Sequence, residues 1–214
     1  MSKKSTRAQR IKTKSSQRRE TKKLELKQEI LSAATELFLE HGYEKFSLRQ
    51  VAEAIGYSPT SIYLHFKNKE ELLFMTALEG FRRFGEMLEQ GYKATNDPYG
   101  RIFSIGRAYV DFALEYPVHY RLMFMQDSDL IYKKLPDCDE SIIDSFEILQ
   151  KTLVEAMEAK VIKEQDILVL SKLIWAHVHG IASLAISLPE LTKDVAYDML
   201  ELNEVILKSG LKGA

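Results

Sequence analysis

The chain of 214 residues contains one cysteine, Cys138, and five prolines. A lone thiol forms no internal disulfide and supplies no paired zinc ligands, so neither kind of staple holds this fold. No secretory hydrophobic stretch is present, and together with the unpaired cysteine this leads us to expect a cytoplasmic protein. Gly-rich phosphate loops and G-x-S-x-G elbows are missing. His177 and His179 stand two residues apart and point about 200° from each other around a helix, so they do not share a metal. Asp127-Ser128-Asp129 opens like a calcium loop, but Tyr132 and Cys138 stand where Gly and Glu are needed. An acid–base pair built on His119 and Tyr120 has no fixed spacing to recommend it. We therefore expect no catalytic group, no metal site and no cofactor. The longest uncharged run, Leu173 to Pro189, is seventeen residues broken by His, Ser and Gly. It falls short of the roughly twenty apolar residues of a membrane span, and no membrane partner is expected.

A formal net charge of −1 argues against a general nucleic-acid coat, yet it conceals an asymmetry. Residues 1–70 hold fifteen Lys and Arg against eight Asp and Glu, and the remainder holds fifteen against twenty-three. A basic front on an acidic body orients a protein on DNA without wrapping it.

Within the basic part, SLRQVAEAIGYSPTSIYLHFKNK (47–69) encodes two short helices and the start of a third. Ser47 and Gln50 form a capping box, and Leu48, Val51, Ala52 and Ile55 recur at helical spacing, which leaves Arg49 and Glu53 outside. Gly56 ends that helix in the left-handed region. Ser58 caps the next, with Pro59 at the first position, where no amide hydrogen is needed. Ile62 and Phe66 share the buried face, so Thr60, Ser61, Tyr63, Leu64 and His65 are displayed. Two helices crossing over a short Gly-containing turn make a helix-turn-helix, whose second helix enters the major groove. Thr and Ser suit base edges or phosphates, Leu64 suits a thymine methyl, and Tyr63, His65, Lys67 and Lys69 suit phosphate oxygens.

The segment EILSAATELFLEHGYEKFSLRQVAEAIGYSPTSIYLHFKNKEELL, Glu29 to Leu73, resembles the DNA-binding domain of the TetR family of bacterial transcriptional regulators. The likeness is carried by Phe38, Gly42-Tyr43, Val51-Ala52, Gly56, Ser58, Ile62-Tyr63, Phe66 and Lys69-Glu70. It implies a phosphate contact at Ser47, a base contact at Arg49, and base and backbone contacts from Pro59, Thr60, Ser61 and Leu64. It further implies phosphate binding by Tyr63 and His65, and a backbone anchor at Lys69. Pro59 departs from the Arg, Lys or Gln often found there, and Thr60 from Gly or Ala, so the docking mode is carried over and the base code is not. The resemblance also implies a bacterial repressor released by a small molecule. Within WAHVHG, the residues Trp175, His179 and Gly180 resemble the Trp-His-Gly signature of one subgroup's C-terminal domain.

Three regions are expected: a basic disordered arm over 1–23, a helix-turn-helix domain over 24–70 and a helical ligand-binding and dimerisation domain over 71–214. The arm has ten Lys or Arg, one Glu and one large aliphatic residue, Ile11, too little to fold alone. It reads equally as a mobile DNA-contacting arm or as a solvated tail. The first domain helix is expected from about Leu24 to His41, with Ile30, Ala34, Leu37 and Phe38 inward. Asn68 and Glu71 cap a long fourth helix that reaches about Tyr92 and spans both domains.

The body reads as helices over about 98–116, 117–125, 139–160, 165–188 and 192–209, so the fold class is all-α. A helix apolar all round, as at 173–189, must be buried all round, and in a small domain its second side meets another copy. Ile174, Val178, Ile181, Leu184, Val195, Met199, Leu202 and Ile206 are the expected interface of a homodimer reading a palindrome in double-stranded DNA. Tyr109, Phe112, Tyr116, Tyr120, Met123, Trp175 and His179 are either ordinary core or the lining of a pocket for a mostly apolar effector with one or two polar handles. Three functions stand side by side at this point: a ligand-responsive repressor, a DNA-binding protein without small-molecule input, and an enzyme with a vestigial DNA head.

Overall fold

The computed structural model describes residues 7–125 and 144–211, and the regular elements among them are α-helices. Asp127, Ser128, Asp129, Tyr132, Cys138 and the helix start expected at Asp139 lie outside the described residues. The chain divides into two compact units, residues 1–76 and 77–214, six residues beyond the boundary expected from sequence.

The first unit holds α1 (Arg7–Lys45), α2 (Leu48–Ala54), α3 (Pro59–Tyr63) and the start of α4 (Lys69–Lys93). Its helix ends form as their capping residues dictate. The Ser47 hydroxyl accepts the Gln50 amide at 3.3 Å and donates to the Gln50 side-chain oxygen at 2.9 Å. Gly56 has φ +71°, a conformation that costs a residue with a Cβ, and it turns the chain from α2 toward α3. Ser58 accepts the Ser61 amide at 3.2 Å, and Asn68 accepts the Glu71 amide at 2.8 Å. Ile30, Ala34, Val51, Ala52, Ile62, Phe66 and Leu72 are buried together as the core of this unit.

One expectation is corrected here. The segment 1–23 was to be a disordered arm, yet α1 begins at Arg7 and runs unbroken until Gly42. Residues 15–25 are exposed, so this half of the helix has no packing to stabilise it. Continuation from an already nucleated helix needs little: extension adds one hydrogen bond per residue fixed, and no Gly or Pro interrupts residues 1–41.

The second unit contains the rest of α4, then α5 (Pro98–Glu115), α6 (Pro117–Phe124), α7 (Asp144–Glu158), α8 (Ile167–Ser187) and α9 (Lys193–Leu211). Helix α5 packs against α6, α7, α8 and α9 and is the centre of this body. Asp97 accepts the Gly100 amide at 2.7 Å to start it, with Pro98 at its first position. Asp166 does the same for α8, accepting the Leu168 and Val169 amides at 2.9 and 3.1 Å. Among the described residues α8 is the one helix long and apolar enough to cross a membrane, but Leu170, Ser171, Ile174, Val178, Ile181 and Ala182 bury one side of it in this body.

That burial corrects the expected interface. Ile174, Val178 and Ile181 are only 6–7% exposed and belong to the chain's own core, so they face no second copy. Leu184, Val195, Leu202 and Ile206 are exposed and Met199 is partly so. Leu168, Val169, Leu173, Leu188 and Val205 join them in the open, and these were not anticipated.

Candidate functional site

Helix α3 has five residues, too few to be stable alone, and it is fixed by burying Ile62 completely, with Phe66 1% exposed just beyond its end. Helical geometry then turns the neighbouring side chains outward: Tyr63 is 52% exposed and Leu64 79%. Pro59, Thr60, Lys67 and Arg49 are exposed as well, while Ser47, Ser61, His65 and Lys69 are half-buried. This face of α3 thus holds an apolar and an aromatic side chain side by side in water.

The polar groups differ in how free they are to contact a partner. The hydroxyls of Ser58 and Ser61 lie 2.9 Å apart and share a hydrogen, which leaves Ser61 Oγ its second lone pair. The Lys67 amide donates to the Glu71 carboxylate at 2.6 Å, which fixes the backbone between α3 and α4. Burial, followed by the charges of Lys23 and Lys27, holds the His65 imidazole below its ordinary pKa. Tyr57, in the turn before α3, is 43% exposed and was missed by the sequence reading. Its position directly after the left-handed Gly56 was the signal that the turn had to place it outside.

In the body, four of the seven residues expected to meet a ligand converge on one polar node. The hydroxyls of Tyr120 and Tyr109 lie 2.6 and 3.0 Å from Nδ1 of His179, and the Trp175 indole donates to the Tyr109 oxygen at 3.1 Å. Ser183 Oγ lies 3.3 Å from Nε2 of His179 and 3.4 Å from the Tyr120 hydroxyl. The surrounding wall is aromatic: Phe84 packs on Tyr109, Phe124 on Tyr120 and Phe112 on Phe84, with ring centroids 5.0–5.2 Å apart. Phe112 and Met123 are fully buried in it. Tyr116 stands at the edge, against Phe112, with the Arg83 guanidinium 5.3 Å from its ring centre. A separate groove of about 270 Å³ opens between α5, α8 and α9, bounded by the buried Ile102, Ile174, Val178 and Leu207 and by Arg107 and Glu201. None of the seven expected ligand residues lines it.

Burial lowers the His179 pKa; burial and then the charge of Arg83 lower that of His119, which Glu79 partly opposes. Both imidazoles are therefore neutral in the folded chain at a pH where the unfolded chain already binds protons. Stability is complete above about pH 6.5 and falls as pH drops below that value, until the folded-state pKa values are reached. Thermal melts at pH values of about 7.5 and 5.5 are expected to show a smaller acid loss for a His119→Asn/His179→Asn chain than for the unaltered one. Among the described residues no group of three His, Cys, Asp or Glu side chains converges as a metal site.

Two family models match the chain. Residues 30–75 match that of the bacterial regulatory proteins, tetR family, and residues 102–202 match a tetracyclin repressor-like C-terminal domain. The HTH-type transcriptional repressor AcnR of Corynebacterium glutamicum is 41% identical over 64 residues, covering 30% of this chain and 34% of that protein. The fatty acid metabolism regulator protein of Bacillus subtilis is 35% identical over 65 residues, with the same coverage. The chain thus spans about a third of the length of the curated relatives it matches. Among solved structures, the fatty acid degradation regulator FadR of Bacillus halodurans superposes with a TM-score of 0.73 over 88% of this chain and 97% of that one, at 18% identity.

Proposed function

This chain belongs to the TetR family of bacterial regulatory proteins, and from that membership we propose that it is a transcriptional repressor which binds a palindromic operator as a homodimer and is released by a small, largely apolar molecule. One observation carries the DNA-binding part: Tyr63 and Leu64 are held in solvent by a helix that buries Ile62 and Phe66 beside them. In this reading Leu64, Thr60, Ser61 and Arg49 face base edges. Ser47, Tyr63, His65 and Lys69 take phosphates, and Pro59 seats the start of α3 against the backbone. A role in transcription supports a cytoplasmic location, and the WAHVHG segment supports the Trp-His-Gly subgroup for the body.

The effector site is the polar node of Tyr109, Tyr120, Trp175 and His179, walled by Phe112, Met123 and Tyr116. Such a site suits an apolar molecule with one or two hydrogen-bonding groups, which exchange with the internal hydrogen bonds of the node. Release works through α4. A Cβ on Gly80 would lie 2.7 Å from Met123 Sδ and 3.0 Å from His119 Cβ, so α6 sits directly on α4 at this point. A ligand that shifts Met123 shifts α4, and α4 leads back without a break to Lys69. Because half-sites lie about one helical turn, 34–36 Å, apart, a change at α4 affects both contacts of a two-fold dimer together.

Selection of bound sequences from random duplexes tests the first part. Ser61→Ala and Leu64→Ala are expected to relax the recovered motif, each lost base contact costing about 1–3 kcal/mol of discrimination. Tyr63→Phe and Lys69→Ala are expected to weaken binding to all sequences alike and to flatten its salt dependence. A motif unchanged in stringency in the first pair would remove α3 from the groove. The second part is tested by linkage: an effector that weakens operator binding must itself bind the operator complex more weakly, by the same factor. Equal effector affinity with and without operator would leave a binding protein without a switch.

A further inference from the structure

We propose that the exposed half of α1 is a second DNA-contacting element, in which Arg19, Lys23 and Lys27 form a basic stripe that lies along the phosphate backbone flanking the sequence read by α3. This rests on the operator-binding reading and adds to it a surface outside the helix-turn-helix.

The first argument is the face of the helix. At 100° per residue, Arg19, Lys23 and Lys27 fall within about 80° of one another, and Ile30, Ala34 and Phe38 fall within about 100° on the same side. The side of α1 that builds the core from Ile30 onward thus becomes a row of cations as soon as the helix leaves that core. Arg19 and Lys23 are exposed and Lys27 is half-buried. Arg18 and Lys22 point elsewhere, about 100–140° from the centre of the stripe.

The second argument is position. Lys23 and Lys27 act electrostatically on His65, two residues beyond the end of α3, so the inner end of the stripe lies near the end of the reading helix.

The third argument is the choice of partner. Between Arg7 and Lys23 there are eight Lys or Arg, one Glu and, as the only large aliphatic residue, Ile11. A helix that lies on a membrane needs an apolar face as well as a basic one, and this segment has none. From Lys27 back to Arg7 the helix covers about 30 Å, or roughly nine base pairs of duplex. A contact of this kind adds affinity and carries no base code.

The test uses the full chain and the duplex that it selects from random DNA, prepared in two lengths: trimmed to the motif, and extended by about ten mixed-sequence base pairs on each side. The unaltered chain is expected to bind the extended duplex more tightly, on the order of tenfold at moderate salt. Arg19→Ala/Lys23→Ala is expected to lose that gain and to lower the slope of log affinity against log salt by roughly two, about 0.9 per phosphate contact, with the selected motif unchanged. Arg18→Ala/Lys22→Ala is expected to keep most of the gain. Equal affinity of the unaltered chain for the two lengths would overturn the proposal. Equal losses from the two double variants would overturn it too, since the charge would then act without orientation. So would a loss seen only on anionic phospholipid vesicles. If no motif is selected at all, the operator reading fails by itself, and the same variants on a mixed-sequence duplex of about forty base pairs still decide whether the stripe contacts DNA.

Discussion

Leu202→Asp is expected to give a folded monomer in sedimentation where the unaltered chain gives a dimer, and to lower operator affinity by about two orders of magnitude or more. Leu202 is 62% exposed on α9, next to Val205 and Ile206 at 64% and 56%, with Leu173 and Leu184 open on α8. So much uncovered aliphatic surface on two neighbouring helices is unfavourable in water, and in the homodimer proposed above a second copy would cover it. A two-fold interface brings in the new carboxylate from both partners, and each costs several kcal/mol to desolvate without a counter-charge. At about 1.4 kcal/mol per tenfold, the dimer dissociates at working concentrations. DNA then meets one reading head at a time. The informative contrast is Ile181→Asp. That residue is 7% exposed within the chain's own core, so its substitution is expected to unfold the body instead of yielding a folded monomer. A folded, operator-binding dimer from Leu202→Asp would move the interface off α9.

Phe66→Ala is expected to melt the first unit and abolish DNA binding while the second unit stays helical and dimeric. Phe66 is 1% exposed, and removing a buried phenyl ring costs about 3–5 kcal/mol. A folded unit of about fifty residues has roughly 3–7 kcal/mol to lose, so the substitution takes most or all of it. Limited proteolysis should cut within residues 1–76 and leave a resistant fragment from the second unit, and circular dichroism should show only partial loss of helix. Phe66→Leu keeps most of the volume and is expected to retain binding. If Phe66→Ala binds operator like the unaltered chain, α3 does not depend on this anchor.

The parts of this protein that were legible from sequence are those whose causes lie within a few residues. Ser47 with Gln50, Ser58 with Pro59 and Ser61, and Asn68 with Glu71 each close a hydrogen bond three residues apart, so the caps announce the helix ends directly. Gly56 announces the turn for the same reason. Once these boundaries are known, helical spacing makes Ile62 and Phe66 the inward pair and exposes Tyr63 and Leu64.

Tertiary structure decided what local spacing leaves undetermined. A helix that is apolar all round has no preferred side, so α8 could not say that Ile174, Val178 and Ile181 turn inward while Leu173 and Leu184 remain open; packing against α5 and α9 made that choice. His179 meets Tyr120 and Tyr109 across 59 and 70 residues of sequence, and no periodicity reports a contact at that separation. Composition gives residues 1–23 little apolar content, which is why they read as a disordered arm. The helical state from Arg7 onward is inherited from the packed half of α1, because a helix nucleated by tertiary contacts extends at little further cost.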